Sequence, residues 1–472
     1  MNPSTNKPIE KQTLSRRSLI SYGSLAVPLQ ALMNPILIFL PTFYATEAGL
    51  DLALVGLIFF FARTWDAITD PIVGALSDRT SGRFGRRRPW IIVGTPLLML
   101  TSFYVLQPPD SAGIWSIGLS IFLFYACWTL VYIPYQSWGS EVSTNYGERT
   151  RVAGYREAGT VLGVLIGMGI PLLLVDPFAE PLRQLIWTNG LNFDASLSTI
   201  LSIIFVTVAI LLPVTAMAAC LFMPDKPRQL DSKITWRQSL TVLKRNSTLR
   251  RLVAGYFLAQ LGFLTFLASV QLLIVKGLQI KEFLFLIFIQ HLVAIAAVPI
   301  WLRIAKLTGK HRAYCVSLAL SAIGLLCLNF VPQGDLGLAA MLFLFNGLGS
   351  SGKLIFPPAI AADTVDYDTL KTGTQEAGTH MAVLNLANKA TFAISVGLAY
   401  PLLALAGFDP KIENTPEALN ALMIVSTIAP ACILLLGIVV MWHFPLNERR
   451  VLAIRRRIQR REQAQLPTST SE

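Results

Sequence analysis

The chain has 472 residues, 53% of them hydrophobic and 14% charged, with a net charge of +12. A soluble globule of this size carries about 25% charged residues, so that class is excluded. Nucleic-acid binding is excluded too, because most of the 39 Lys and Arg fall in alternate connections between oily segments, the pattern of basic loops kept on one side of a membrane.

A helix needs about 20 apolar residues to cross the hydrocarbon core. Segments of that kind cover 20–44, 52–76, 90–107, 114–138, 152–175, 198–223, 252–275, 282–304, 313–332, 336–361, 379–405 and 418–444. The predicted fold is all-α and integral to the membrane, with twelve transmembrane helices, since in lipid every backbone polar group must be satisfied within its own segment or a closed barrel. The polar tail 1–19, with Lys7, Lys11, Arg16 and Arg17, has no cleavable signal pattern. An even number of spans with basic alternate loops puts both termini in the cytoplasm of a plasma membrane, the inner membrane if the source is bacterial. The five cysteines all lie within spans, at spacings that form neither a disulfide framework nor a zinc site.

The first segment carries Gln30 and Asn34. The second contains RTWDAITDP, Arg63 to Pro71. Charged groups at a bilayer centre cost about 2.5 to 3.5 kcal/mol each and are normally paired and functional. Asp66 and Asp70 are four apart and share a helix face with Thr69, while Arg63 lies three residues back. Two carboxylates so close repel, so either a cation sits between them or one takes a proton. A hard cation such as Na⁺ wants several oxygens, by analogy with other hard ions, and Thr129 of the fourth segment is a further candidate ligand. The competing arrangement has Arg63 neutralising Asp66 while Asp70 bonds the backbone, with no ion.

After the second segment comes GALSDRTSGRFGRRRP, Gly74 to Pro89, and after the eighth RIAKLTGKHR, Arg303 to Arg312. Aligning Gly82 with Gly309, and Pro134-Tyr135 with Pro357-Pro358, gives similar offsets near half the chain, which indicates duplicated six-helix halves. The predicted units are a cytoplasmic tail 1–19, an N-terminal bundle 20–223, a cytoplasmic linker 224–251, a C-terminal bundle 252–444 and a basic tail 445–472. In that plan a solute site lies at the midplane between the halves. Within the basic loop, Gly74 would permit close packing and Asp78 would pair with arginines at neighbouring helix ends, with Arg149 and Arg151 available, while Arg86 to Arg88 anchor at anionic lipid. Trp128, Tyr132 and Gln136 follow in the fourth segment and Arg156 in the fifth.

In the second half, GLGSSGK (Gly347 to Lys353) mimics a phosphate-binding loop but lacks the following Ser or Thr and a preceding strand. Small residues that let helices approach are the better reading. Asp363, Asp366 and Asp368 pair with basic loops. Asn385, Asn388 and Lys389 are polar positions within the eleventh segment. ERRVLAIRRRIQRR, Glu448 to Arg461, reads as a helix lying on lipid headgroups, and QLPTSTSE after it as disordered.

WDAITDP, the basic loop that follows it, Tyr155-Arg156, DTVDYDTLKTG (Asp363 to Gly373) and Lys389 together resemble the glycoside-pentoside-hexuronide:cation symporters of the major facilitator superfamily, whose best-known member is the melibiose permease. The resemblance implies a coupling cation held by Asp66, Thr69, Asp70 and Thr129, with Na⁺, Li⁺ and H⁺ all open, since Thr69 stands where that permease has asparagine. Arg156 and Lys389 match residues that hold the sugar or its surroundings. Where sugar carriers place acids on the first and fourth helices, this chain has Gln30 and Tyr132, and Gln136 replaces a tryptophan. The expectation is a cation-coupled symporter importing a small polar solute, a glycoside or sugar, working as a monomer among anionic lipids with no cofactor beyond the ion. The same plan carrying an amphipathic or lipid-like solute is the second reading; an intramembrane enzyme is a third, disfavoured because no nucleophile and base stand at catalytic spacing.

Overall fold

The computed structural model describes residues 14–80, 84–109, 111–142, 146–186, 194, 196–225, 236–373 and 376–465. Lys7 and Lys11 of the tail, Gly82, residues 226–235 of the linker and residues 466–472 of the QLPTSTSE segment lie outside the described residues.

Long helices run Arg16–Thr46 (α1), Leu52–Arg79 (α2), Arg88–Leu106 (α3), Ile114–Glu141 (α4) and Tyr146–Val175 (α5). A short α6 (Glu180–Ile186) precedes α7 (Leu197–Phe222), and α8 (Trp236–Arg245) leads into α9 (Ser247–Leu272). Then come α10 (Phe283–Ala296), α11 (Val298–Thr308), α12 (Lys310–Cys327), α13 (Leu336–Thr372), α14 (Ala377–Leu405), α15 (Pro416–Met423), α16 (Ala429–Trp442) and α17 (Glu448–Gln465). Among the described residues eleven spans are long and apolar enough to cross a membrane, and α10 with α11, bent by 46°, makes the twelfth. A proline in the first turn of α11, which lacks the amide proton needed to continue α10, accounts for the break.

Local chemistry sets the helix starts. Side chains of Ser15, Asp51, Ser196, Asp335 and Thr415 each accept a bond from an amide three residues on, supplying an acceptor to an otherwise orphan donor. Helices α1 to α7 pack on one another, as do α9 to α16, and the two groups meet through α2 with α14, α5 with α10 and α1 with α9. The ends of the spans alternate between a face bearing the basic loops and a far face.

Inside the first group, α5 lies directly on α1. Gly159, Gly163 and Gly167 press against the carbonyls of Gly23, Val27 and Ala31, and a β-carbon on Gly167 would stand 2.6 Å from the Ala31 oxygen. This is small-residue packing of membrane helices. Gly159→Leu is expected to abolish recovery of monodisperse protein in size-exclusion chromatography, whereas Gly154→Leu, with nothing within 4 Å of its β-carbon, leaves the profile unchanged.

GLGSSGK lies inside the unbroken α13. Gly347 faces the Gln290 carbonyl of α10, and Gly349 and Gly352 face Ser321 and Ser317 of α12, so the glycines serve close approach. Gly74 differs: a β-carbon there would meet only Ile133, at 3.7 Å, so its packing does not require glycine. Helix α17 packs on α13 through Arg455 to Asp366 (2.7 Å) and Asp363 (3.3 Å) and through Arg461 to the Leu370 carbonyl. It caps the bundle with one face, which leaves only its other face for lipid.

Candidate functional site

Halfway along α2, Asp66 is 3% exposed. Thr129 Oγ1, from α4, lies 2.9 Å from Asp66 Oδ1 and 3.1 Å from Asp70 Oδ1. Thr69 Oγ1 is 3.5 Å from the Thr129 hydroxyl and donates to the Asp66 carbonyl. The four residues expected at a cation site therefore converge on one spot, because the i, i+3, i+4 spacing turns Asp66, Thr69 and Asp70 toward α4.

Lys389 of α14 reaches into this spot from the other group of helices. Its Nζ lies 3.0 Å from Asp66 Oδ2 and forms a close ion pair with Asp70. Arg63 approaches Asp66 at 3.7 Å, but its guanidinium is spent mainly on rings, 4.2 Å from the centroid of Tyr125 and 4.9 Å from that of Phe392. The two acids are thus not locked by Arg63 alone. A lysine from the other group of helices holds them, and its side chain remains 26% exposed.

Nearer the basic face, Gln30, Tyr132, Gln136 and Arg156 line a cavity of about 80 Å³ together with Glu157 and Thr160. Arg156 is bound by its neighbour Glu157 at 2.8 Å, a partner overlooked in the sequence although the acid–base pair is adjacent. Trp128 is buried and stacks on Tyr132, centroids 5.2 Å apart, so it packs against the pocket wall. Asn34 is half-buried on α1 and Asn385 exposed on α14; neither lines this cavity. Asn388 accepts from Gln260 at 2.8 Å, an interhelical bond.

On the basic face, Asp78 is held by Arg86 and Arg87, and Arg87 also bridges to Glu141 and Ser77. Arg151 instead bonds Glu148 at 2.6 Å, and Arg149 is exposed in the first turns of α5. The expectation that Asp78 takes Arg151, and that Arg86 to Arg88 anchor in lipid, is corrected: Arg87 is 1% exposed, and Arg88 donates to the Met223 carbonyl. The guanidiniums that meet Asp78 come from the loop that follows α2. Across the second bundle, Lys310 pairs with Asp363 and Arg245 with Asp368.

At the far face the groups close on each other. Phe178 stacks on Phe285, Thr42 Oγ1 lies 2.9 Å from the Tyr400 hydroxyl, and Lys411 donates to the Gly49 carbonyl. Asp176, just past α5 and 1% exposed, accepts from the amides of Leu284 and Phe285 at the start of α10 and from Phe178. Burial pushes its carboxyl up to about 6.

A membrane bundle with paired intramembrane acids bridged across two helix groups has the form of a solute carrier. The family model described as MFS/sugar transport protein matches residues 21–448. The chain belongs to that family. Its member here is 24% identical to the sodium-dependent lysophosphatidylcholine symporter 1-B of Danio rerio, over 99% of this chain and 95% of that protein. It is 25% identical to the glucuronide carrier protein homolog of Escherichia coli (strain K12), over 96% and 98%. Among solved structures, nucleoside transporter NupG superposes with a TM-score of 0.62 at 10% identity, covering 91% of this chain and all of that one. A bacterial homologue of the human lysosomal transporter Spinster gives 0.64 at 12%, covering 93% and 97%. This family member is a secondary-active membrane transporter of the major facilitator fold, and not an enzyme.

Proposed function

We propose that the protein is a cation-coupled symporter of the melibiose-permease-like, glycoside-pentoside-hexuronide:cation type, importing a small polar solute by alternating access. One observation carries this reading: Lys389 of the C-terminal bundle occupies the space between Asp66 and Asp70 of the N-terminal bundle. An ammonium and an entering cation compete for the same oxygens. When Na⁺ takes Asp66, Asp70, Thr69 and Thr129, Lys389 is released and the grip between bundles 20–223 and 252–444 changes; a proton on either acid has the same effect. The ion is cargo, and it moves down its gradient with the solute.

The solute would sit between Gln30, Tyr132, Gln136 and Arg156 on one side and α14, with Asn385 and Lys389, on the other. Neutral amides and a phenol bond hydroxyls, which supports a glycoside, as does similarity to a glucuronide carrier homolog. The stacked Trp128 and Tyr132 support the second reading, an amphipathic solute, in line with relatives named as sodium-dependent lysophosphatidylcholine symporters. We place both termini and the basic face in the cytoplasm of a plasma membrane, against anionic headgroups, with the monomer as the working unit.

The test is uptake of labelled glycosides and lysophosphatidylcholine into vesicles with imposed Na⁺ or H⁺ gradients. Accumulation is expected with one gradient and to be lost in Asp66→Cys and Asp70→Cys. Indifference to both gradients and both substitutions would remove the coupling assignment.

A further inference from the structure

Charges inside the spans cancel in sets. Arg63 and Lys389 face Asp66 and Asp70, and Arg156 faces Glu157. Lys353, near the middle of α13, has no such partner among the described residues. It is 7% exposed, and its ammonium lies 3.7 Å from the ring centroid of Phe263 on α9. A cation–π contact recovers only part of what burying an ion costs. A second group on the same helix is equally unsatisfied: the buried Asn346 Nδ2 has no hydrogen-bond acceptor. Positions 346 and 353 are two turns apart and share one face, about 10 Å along the axis. Side chains lean toward the helix N-terminus, which tilts Lys353 back toward Asn346.

Both orphan groups are donors, and the Lys353 amine carries a positive charge once an anion is there to hold its proton. Behind them His291 of α10 donates Nδ1 to the Ile287 carbonyl at 2.9 Å, so it brings no negative charge. The helices that wall the cluster, α9 and α10, are those that touch α1 and α5 across the bundle interface.

We propose that the Lys353–Asn346 face of α13 is an anion-recognition point of the solute site, taking a carboxylate or phosphate borne by the transported molecule. The proposal rests on the transporter reading and narrows its solute to an anionic or zwitterionic one. The anion supplies the missing counter-charge to Lys353 and an acceptor for the Asn346 amide.

The experiment is thermal unfolding of the purified full chain in detergent with paired probes: phenyl β-D-glucuronide against phenyl β-D-glucoside, and glycerol 3-phosphate against glycerol. The charged member of one pair is expected to raise the melting temperature of the wild type more than its neutral twin, and the pair that does so tells carboxylate from phosphate. Lys353→Met is expected to melt several degrees higher without ligand, because a buried amine with no polar partner is removed at similar volume, and to need at least about tenfold more anion for half-protection. Lys353→Arg retains the protection. Equal protection by charged and neutral probes in the wild type overturns the proposal, and so does unchanged anion protection in Lys353→Met. A Na⁺-dependent shift, present in the wild type and Lys353→Met but absent in Asp70→Asn, reports the coupling reading separately, so either can fail alone.

Discussion

Lys389→Ala is expected to abolish ion-driven accumulation while leaving cation binding in place. In the structure the Lys389 ammonium satisfies both acids across the bundle interface. Removing one partner of a buried ion pair costs about 3 to 5 kcal/mol, and the partial exposure of Lys389 puts the cost here at the lower end. The stranded carboxylates then hold Na⁺ or a proton with no competitor, and ion occupancy no longer reports to the second bundle. In vesicles the accumulation ratio under an imposed gradient should fall to that of equilibration, with the Na⁺-induced rise in melting temperature retained. Uphill transport at the wild-type level in this variant would refute the coupling role of Lys389.

The second large effect is expected at Asp176. Its carboxyl is raised from 3.8 to about 6 by burial, against the opposing pull of the amides of Phe178, Leu284 and Phe285, with Glu282 adding a smaller push upward. Arg183 touches only the backbone carbonyl of Asp176 and does not neutralise its side chain. When the far face opens, the group enters water and returns to its ordinary value. The closed face thus holds the proton more tightly. Its extra stability is complete below about 3.8 and is lost as pH rises through about 6. Acidification from pH 7.5 to 5 should shift the equilibrium toward far-face closure by about tenfold. Spin labels at Gly113 and Leu405, in opposite bundles, would show the short-distance population growing as pH falls. Asp176→Asn keeps the shape without the titration, and its distance distribution should not respond over that range; a response equal to wild type would assign the effect to another group.

Much of this was legible in the chain. Hydropathy marked every span, because a helix in lipid must be apolar along its length, but it stopped at the membrane edge. Hence α5 begins at Tyr146 rather than 152 and α13 continues to Thr372, where charged turns project beyond the apolar zone. The convergence of Asp66, Thr69, Asp70 and Thr129 followed from spacing and resemblance. Contacts that depend on which loop folds back on which helix did not: nothing local indicates that Arg87 rather than Arg151 meets Asp78, or that Asp176 caps a helix 107 residues onward. The orphan state of Lys353 was equally invisible, since a sequence shows a charge and not the lack of an opposite one.

The seam between α1 and α5 limits how the machine can move. Backbone there touches backbone, and the side chains that intrude, Ala26, Gln30 and Tyr155, do so through their β-carbons, so the pair swings as a single rod. That rod carries Asp176 at one end and Arg156 toward the other, which makes a tug at the far gate a displacement of the pocket wall without any intervening relay.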